Sequence, residues 1–181
     1  MQICAMEVIF ISRNKSKILA LTVSSAMVAL SVVFTRFIGY SPEGTPLRFE
    51  LGFLPIAVAA YAFGPIYSAL GYLTADVIGS FYSGYAPNIW ITLCQFLSGI
   101  IMGLMLHKKR CSPARVTATF TIIAVAIELL AKSPVFIFMY GWTVEYTLAM
   151  RALNAVINLP IRIITFYFLM RAIKKPIDRY L

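Results

Sequence analysis

Four polar side chains recur along the last apolar segment of the chain. They are Arg151, Asn154, Asn158 and Arg162. Their spacing of three, four and four residues places them in one stripe on a helix. Ionisable groups at membrane depth cost several kcal/mol, so they normally face the interior of a bundle and have a partner or a task. The stripe predicts one wall of a polar cavity. Hydrogen bonding between helices is the structural alternative, and for Arg162 anchoring near the cytoplasm is another.

Three more cationic side chains are predicted at the same end of the molecule as Arg151. They are Arg36, Arg48 and Lys132. Arg36 ends the first apolar segment, where snorkelling to the membrane interface is the alternative to ligand binding. Lys132 stands just before Ser133-Pro134 and is either a ligand contact or a structural residue. With Arg151, these cations predict a site for a small anionic molecule that arrives from outside the cell.

Aromatic side chains cluster near the same outer edge. They are Tyr85, Trp90, Tyr140 and Trp142. An interfacial aromatic belt accounts for such residues in many membrane proteins, but one or two of them could stack on a flat ligand. Tyr85 and Trp90 are the candidates for that contact. The predicted ligand therefore contains a ring as well as a negative charge.

Two carboxylates lie within apolar segments. Glu128 precedes Lys132 by four residues, so the two side chains are predicted to pair on one helix face. Asp76 is expected near the middle of the membrane. We predict that it pairs with a cation or caps backbone groups freed by a helix break.

Composition defines the class of protein. The 181 residues are 60% hydrophobic and 13% charged, which indicates a polytopic membrane protein with one bundle and no soluble domain. The net charge of +9 comes largely from basic clusters that border apolar segments. This distribution marks cytoplasmic loops and argues against nucleic-acid binding. The three cysteines have no CxxC spacing, so no disulfide framework, metal site or cofactor is predicted.

The number of membrane spans depends on residues 51–81. As one helix this stretch would extend roughly 46 Å, against about 30 Å of hydrocarbon. Gly64-Pro65 predicts a break, because proline removes a backbone donor and disfavours helix at the preceding residue. With this break the chain has six spans, which place the basic clusters and both termini in the cytoplasm. The predicted spans are about 18–38, 51–64, 65–81, 88–106, 116–139 and 150–173.

An intramembrane enzyme and a carrier or channel that works alone are two further interpretations of the sequence. An intramembrane serine protease needs a nucleophile beside a base at membrane depth. The single histidine, His107, lies in a predicted cytoplasmic loop, and Ser98 has no Gly-x-Ser-Gly context. A carrier or channel that works alone is expected to show inverted repeats or a continuous polar path. Neither is visible in the sequence, although Arg162 leaves a polar path open.

Several short motifs of the sequence resemble those of the S components of energy-coupling factor (ECF) vitamin transporters, and most closely those of the folate group. They are LSVVFTRF at 30–37, GFLPIAVAAYAFGP at 52–65, GxxxxDxIG at 71–79, HKKR at 107–110, YG at 140–141 and NxxxNLPI at 154–161. The central block over 52–79 is the most specific. Together these words run through nearly the whole chain.

The resemblance implies an all-α membrane protein with a six-helix bundle and no ATPase of its own. Such a subunit binds a vitamin, here folate as the first interpretation, from outside a prokaryotic plasma membrane. It then docks on a transmembrane coupling subunit with two cytoplasmic ATPases, topples and releases the ligand inward. The docking face of small residues on the first helix corresponds here to Thr22, Ser25, Ala26 and Ala29. Close approach of two helices favours such small residues.

One short motif differs from the corresponding motif of the folate group. Before the YG at 140–141 this chain has Lys132-Ser133-Pro134-Val135 where the folate group has an Asn-Thr-x-Trp-like word. An S component for a different micronutrient is therefore the alternative within the family. A carrier or channel that works alone is the alternative outside it.

Overall fold

The structure is a computed structural model, and it describes residues 2–39, 51–84, 86–109 and 112–180. Throughout these ranges the regular structure is helical, as the sequence predicts. The helices are α1 (Gln2–Val33), which continues as a π-helical turn (Phe34–Ile38), α2 (Phe53–Phe63), α3 (Pro65–Tyr82), α4 (Ile89–Leu106), α5 (Pro113–Ile122), which continues as a longer π-helix (Ile123–Ala131), α6 (Ser133–Tyr140) and α7 (Val144–Tyr180).

Four helical segments are long and apolar enough to cross a membrane. They are Ile18–Phe37, Ile89–Leu106, Pro113–Met139 and Val144–Ile173, and Phe53–Phe63 is a shorter apolar helix. A membrane-spanning helical bundle is thereby confirmed. The count of six crossings and the cytoplasmic position of the termini stay predictions.

The chain turns sharply at Gly64, inside the stretch whose length exceeded one span. Its φ of 95° and ψ of −168° lie in a region that only glycine adopts readily. A Cβ added at Gly71 of α3 would lie 3.6 Å from Ile56 Cγ2 of α2. Because these two residues stand at similar distances on either side of Gly64, α2 and α3 run back along each other as a helical hairpin.

The loop after α4 completes the backbone hydrogen bonding at this turn. Pro65 has no N–H, so the carbonyl of Tyr61 lacks the donor that an uninterrupted helix would supply. The N–H of Lys108 donates to this carbonyl at 3.3 Å, and His107 Nδ1 lies 3.2 Å from it. Residues Phe53–Ala62 of α2 are buried, which lets so short a helix and its broken end lie at membrane depth.

Two glycines of α4 bring this helix into close contact with α3. A Cβ at Gly99 would lie only 2.5 Å from the Cα of Ala69, and one at Gly103 would lie 2.6 Å from the nitrogen of Pro65. Ser68 Oγ donates to the carbonyl of Gly99 at 2.7 Å. Gly99 and Gly103 form a GxxxG spacing, whose small residues let two backbones touch.

A row of phenylalanines joins the hairpin to the second half of the chain. Phe120 of α5 packs edge-to-face against Phe53 of α2, with ring centroids 5.4 Å apart, and against Phe166 of α7 at 5.6 Å. Edge-to-face contacts suit the quadrupoles of aromatic rings. Phe53 and Phe120 also line the cavity described next.

Candidate ligand-binding cavity

A cavity of about 300 Å³ lies between the two halves of the bundle, a volume at the lower end of the range for small-molecule sites. One side, which we call the α3–α4 wall, is lined by Tyr72, Ala75, Asp76, Ile91, Gln95, Ser98 and Met102. The other, the α5–α7 wall, is lined by Phe120, Ile123, Glu128, Lys132, Phe136, Arg151, Asn154 and Arg162. The lining of α4 from Ile91 to Met102 extends roughly 16 Å along its axis, so the cavity suits an elongated molecule.

Glu128 is hydrogen-bonded to both arginines of the α5–α7 wall. Its carboxylate accepts from Arg162 Nη1 at 2.6 Å, and its backbone carbonyl accepts from Arg151 Nη1 at 2.6 Å. The guanidinium of Arg151 also lies 4.1 Å from the centre of the Phe136 ring, within the range of a cation–π contact. The predicted pairing of Glu128 with Lys132 is therefore corrected, because Arg162 occupies the carboxylate. Arg162 lines the cavity instead of anchoring at the cytoplasmic surface.

The π-helix explains why the Glu128 carbonyl can accept a side chain. The N–H of Lys132 bonds to the carbonyl of Ile127, five residues back, at 3.0 Å. In an α-helix that N–H would bond to the carbonyl of Glu128. The hydroxyl of Ser133 donates to the carbonyl of Leu129, four residues back. Such π-helical turns occur frequently at functional sites, and this one makes a backbone acceptor available to Arg151.

Arg36 reaches the cavity from the π-helical turn that follows α1. Its Nη1 donates to Ser83 Oγ at 2.5 Å, across the gap to the end of α3. A Cβ at Gly79 would lie 2.5 Å from Arg36 Nη2, so the guanidinium packs directly on this glycine and would have to shift if a side chain were added. The side chain is partly buried and fixed to α3, which argues against snorkelling.

Asp76 lies on the α3–α4 wall with a neutral partner. Its Oδ2 accepts from Thr92 Oγ1 of α4 at 2.7 Å. Of the cations in the described ranges, none forms an ion pair with Asp76. The predicted pairing with a cation is thus corrected. The predicted cap at the helix break is wrong as well, because Asp76 lies about three turns beyond Gly64.

Comparison with known proteins now identifies the family. The ECF-type riboflavin transporter S component family matches residues 15–175. This chain belongs to that family. It is therefore a multi-pass membrane subunit of a transporter and not an enzyme, and the resemblance drawn from the sequence words is confirmed.

Two relatives are similar over most of their length. The folate transporter FolT of Clostridium novyi (strain NT) is 30% identical over 145 residues, which are 78% of this chain and 81% of the relative. A crystal structure of FolT bound with folic acid matches with a TM-score of 0.72 and 28% identity. That match covers 81% of this chain and 88% of the other.

Of the six predicted substrate-binding residues that the structure describes, four line the cavity of this S component. Those that line the cavity are Arg36, Lys132, Arg151 and Asn154. Asn158 is buried behind the wall, where its Nδ2 donates to the backbone carbonyl of Asn154 at 3.0 Å. The side chain of Trp90 is 62% exposed and does not line the cavity. Arg48 and Tyr85 lie outside the described residues.

The predicted docking residues form an exposed face of α1. Thr22, Ser25, Ala26 and Ala29 are all exposed. The hydroxyls of Thr22 and Ser25 donate to the carbonyls of Ile18 and Leu21 in their own helix, so both side chains present little free polarity. Ser31, also on α1, is buried and donates to the carbonyl of Gly52 at 2.6 Å. Whether this face docks on a partner stays a prediction.

Sequence reasoning missed the polar residues of α4. Thr92, Gln95 and Ser98 recur every three residues. Thr92 binds Asp76, and the other two line the cavity. The same periodicity argument that found the stripe on α7 could have found this one. Unlike the stripe on α7, which begins and ends with an arginine, this one contains no charged residue to mark it.

Proposed function

We propose that this S component binds folate in the cavity and delivers it to an ECF importer. The observation that supports this most directly is the charge of the lining. Among the described residues the lining has four cationic side chains, Arg36, Lys132, Arg151 and Arg162, and two carboxylates, Asp76 and Glu128. Cationic side chains in a cavity at membrane depth favour a ligand that brings negative charge. Folate carries two carboxylates on its glutamate portion.

The apolar part of the lining suits the rest of that molecule. Phe53, Phe120 and Phe136 line the cavity beside the cations, and aromatic rings provide flat surfaces for a ring system. The cavity is long enough along α4 for a ring system joined to an acidic tail. The FolT relative and the folic acid complex of FolT are consistent with this substrate.

Riboflavin is the second candidate, because the matched family is described as riboflavin transporters. Riboflavin is a neutral molecule with a sugar-alcohol chain. Bound here, it would bring no negative charge to Lys132 and Arg151, which line the cavity. The cationic lining therefore favours folate.

Binding by the purified protein tests this proposal. We expect folic acid to bind the detergent-solubilised protein tighter than about 1 μM, or about −8 kcal/mol, without nucleotide. The dimethyl ester of folic acid is the matched control, because it keeps the shape and removes both charges, and we expect it to bind at least a hundredfold more weakly. Calorimetric titration measures both. A higher affinity for riboflavin than for folic acid, or equal affinities for folic acid and its ester, would contradict the proposal.

We further propose six membrane crossings with both termini in the cytoplasm, and docking of the α1 face on a coupling subunit whose ATPases drive toppling and release. The exposed small residues of that face support this step. Replacing Ala29→Leu adds bulk to the face and is expected to abolish ATP-dependent uptake into proteoliposomes while the affinity for folic acid stays within twofold. Ile18→Leu, an exposed apolar position on the same helix, is the control. Loss of binding in the Ala29 variant would show that the face belongs to the cavity side.

A further inference from the structure

Asp76 has more acceptor capacity than the described residues use. An ionised carboxylate offers about four acceptor positions, and Thr92 Oγ1 occupies one of them at 2.7 Å. Arg36 packs on Gly79, one turn further along α3, but directs Nη1 to Ser83. A carboxylate at membrane depth is costly without donors. A ligand in the cavity can supply them.

Gln95 extends the same polar patch. It lies one turn from Thr92 on α4, and both Gln95 and Asp76 line the α3–α4 wall. Its amide offers a donor and an acceptor beside the carboxylate, which is acceptor-only. This combination complements the edge of a planar heterocycle with adjacent N–H donors and a ring carbonyl. It does not complement an anionic group, which the carboxylate would repel.

The α5–α7 wall provides cationic groups that can bind an acidic tail. Lys132 and Arg151 lie on the α5–α7 wall, and the guanidinium of Arg151 is fixed by the Glu128 carbonyl and stacked on Phe136. Cationic groups of this kind bind carboxylates. The lining therefore has an acceptor group, Asp76, with Gln95 on the α3–α4 wall, and two cations, Lys132 and Arg151, on the α5–α7 wall.

We propose that Asp76 is the specificity-determining residue for the ring end of the substrate. Its carboxylate accepts the N–H groups of an aminopyrimidinone edge, with Gln95 beside it, while the acidic tail of the same molecule binds Lys132 and Arg151. This inference rests on the proposed function, because it takes folate as the molecule in the cavity. It gives that molecule one orientation.

Dissecting the ligand tests the orientation. Asp76→Asn keeps an oxygen for Thr92 but places an amide where the carboxylate stood, so it removes acceptor capacity without changing shape. Affinities for folic acid, for pteroic acid, which lacks the glutamate, and for p-aminobenzoylglutamate, which lacks the pterin, are measured by competition with radiolabelled folic acid. Arg151→Ala is the partner variant. Thr74→Val is the control, since Thr74 is exposed on the same helix and its hydroxyl bonds to the carbonyl of Leu70.

The two variants should give opposite patterns. We expect Asp76→Asn to lower the affinity for folic acid and pteroic acid at least tenfold and the affinity for p-aminobenzoylglutamate less than twofold. Arg151→Ala should lower the affinity for folic acid and p-aminobenzoylglutamate at least tenfold and should affect pteroic acid least. Thr74→Val should change none of the three affinities. An Asp76 variant that binds folic acid within twofold of wild type, or that weakens all three ligands alike, overturns the inference while leaving the proposed function intact. Failure of the wild-type protein to bind folic acid refutes the proposed function itself.

Discussion

The two walls of the cavity are built by different means. The α3–α4 wall is held by backbone contact, because Gly99 and Gly103 let α4 approach Ala69 and Pro65 without intervening side chains. The α5–α7 wall is held by side chains, with Glu128 joining two arginines across a π-helix. Backbone contact leaves little freedom to move, whereas a side-chain network can exchange its partners. The first wall provides a fixed surface, and the second provides groups that can turn from Glu128 to a ligand.

This contrast predicts that the two walls fail differently when they are mutated. A change in the glycine contact should unfold the protein. A change in the arginine network should lower stability moderately and alter binding. Residues outside both walls should matter little.

The largest effect is expected from Gly103→Leu. A Cβ at this position already meets the backbone of Pro65 and Ser68 Oγ at 2.8 Å, so a leucine cannot fit unless α3 and α4 separate. We expect loss of folded, monodisperse protein on size-exclusion chromatography and loss of folic acid binding. Leu104→Val changes the next residue, which is 57% exposed, and should behave as wild type. Normal folding of the Gly103 variant would show that α3 and α4 do not pack through their backbones.

The same contrast explains what the sequence could predict. The helix break at Gly64-Pro65 follows from the covalent chemistry of proline, and the stripe that begins at Arg151 follows from helical periodicity, so both were accessible. The partner of Glu128 could not be predicted in this way. Prediction of an i, i+4 pair with Lys132 assumed a regular α-helix, but this part of the chain is a π-helix, and Arg162 comes from another helix. Partners across helices depend on packing that periodicity does not define.

The next effect in size is expected from Glu128→Gln. The amide removes the charge that Arg162 binds at 2.6 Å, and a hydrogen bond to a charged group contributes about 2 kcal/mol. The bond from Arg151 to the backbone carbonyl is retained. We expect a lower midpoint of thermal unfolding in detergent, with Glu145→Gln as the control because that carboxylate is exposed in the first turn of α7.

A double variant sharpens this test. Glu128→Leu with Arg162→Met replaces the pair by apolar groups and should be more stable than either single variant, since neither charge is left alone. If the effects of the two single variants on stability sum to the effect of the double variant, the two side chains do not interact. The α5–α7 wall is then held by something other than this network.

The smallest effect is expected from Trp90→Ala. Trp90 was predicted to contact the ligand, yet its side chain is 62% exposed, and its N–H caps α4 by donating to Asn88 Oδ1 at 3.0 Å. That bond uses the backbone and survives the substitution. We expect the dissociation constant for folic acid to change by less than twofold, which is about 0.4 kcal/mol. Phe136→Ala is the matched aromatic change inside the cavity and should weaken binding about fivefold or more, because Arg151 loses the ring on which it stacks. Equal losses from both aromatic variants would mean that the site extends beyond the two walls to the end of the bundle where α4 begins.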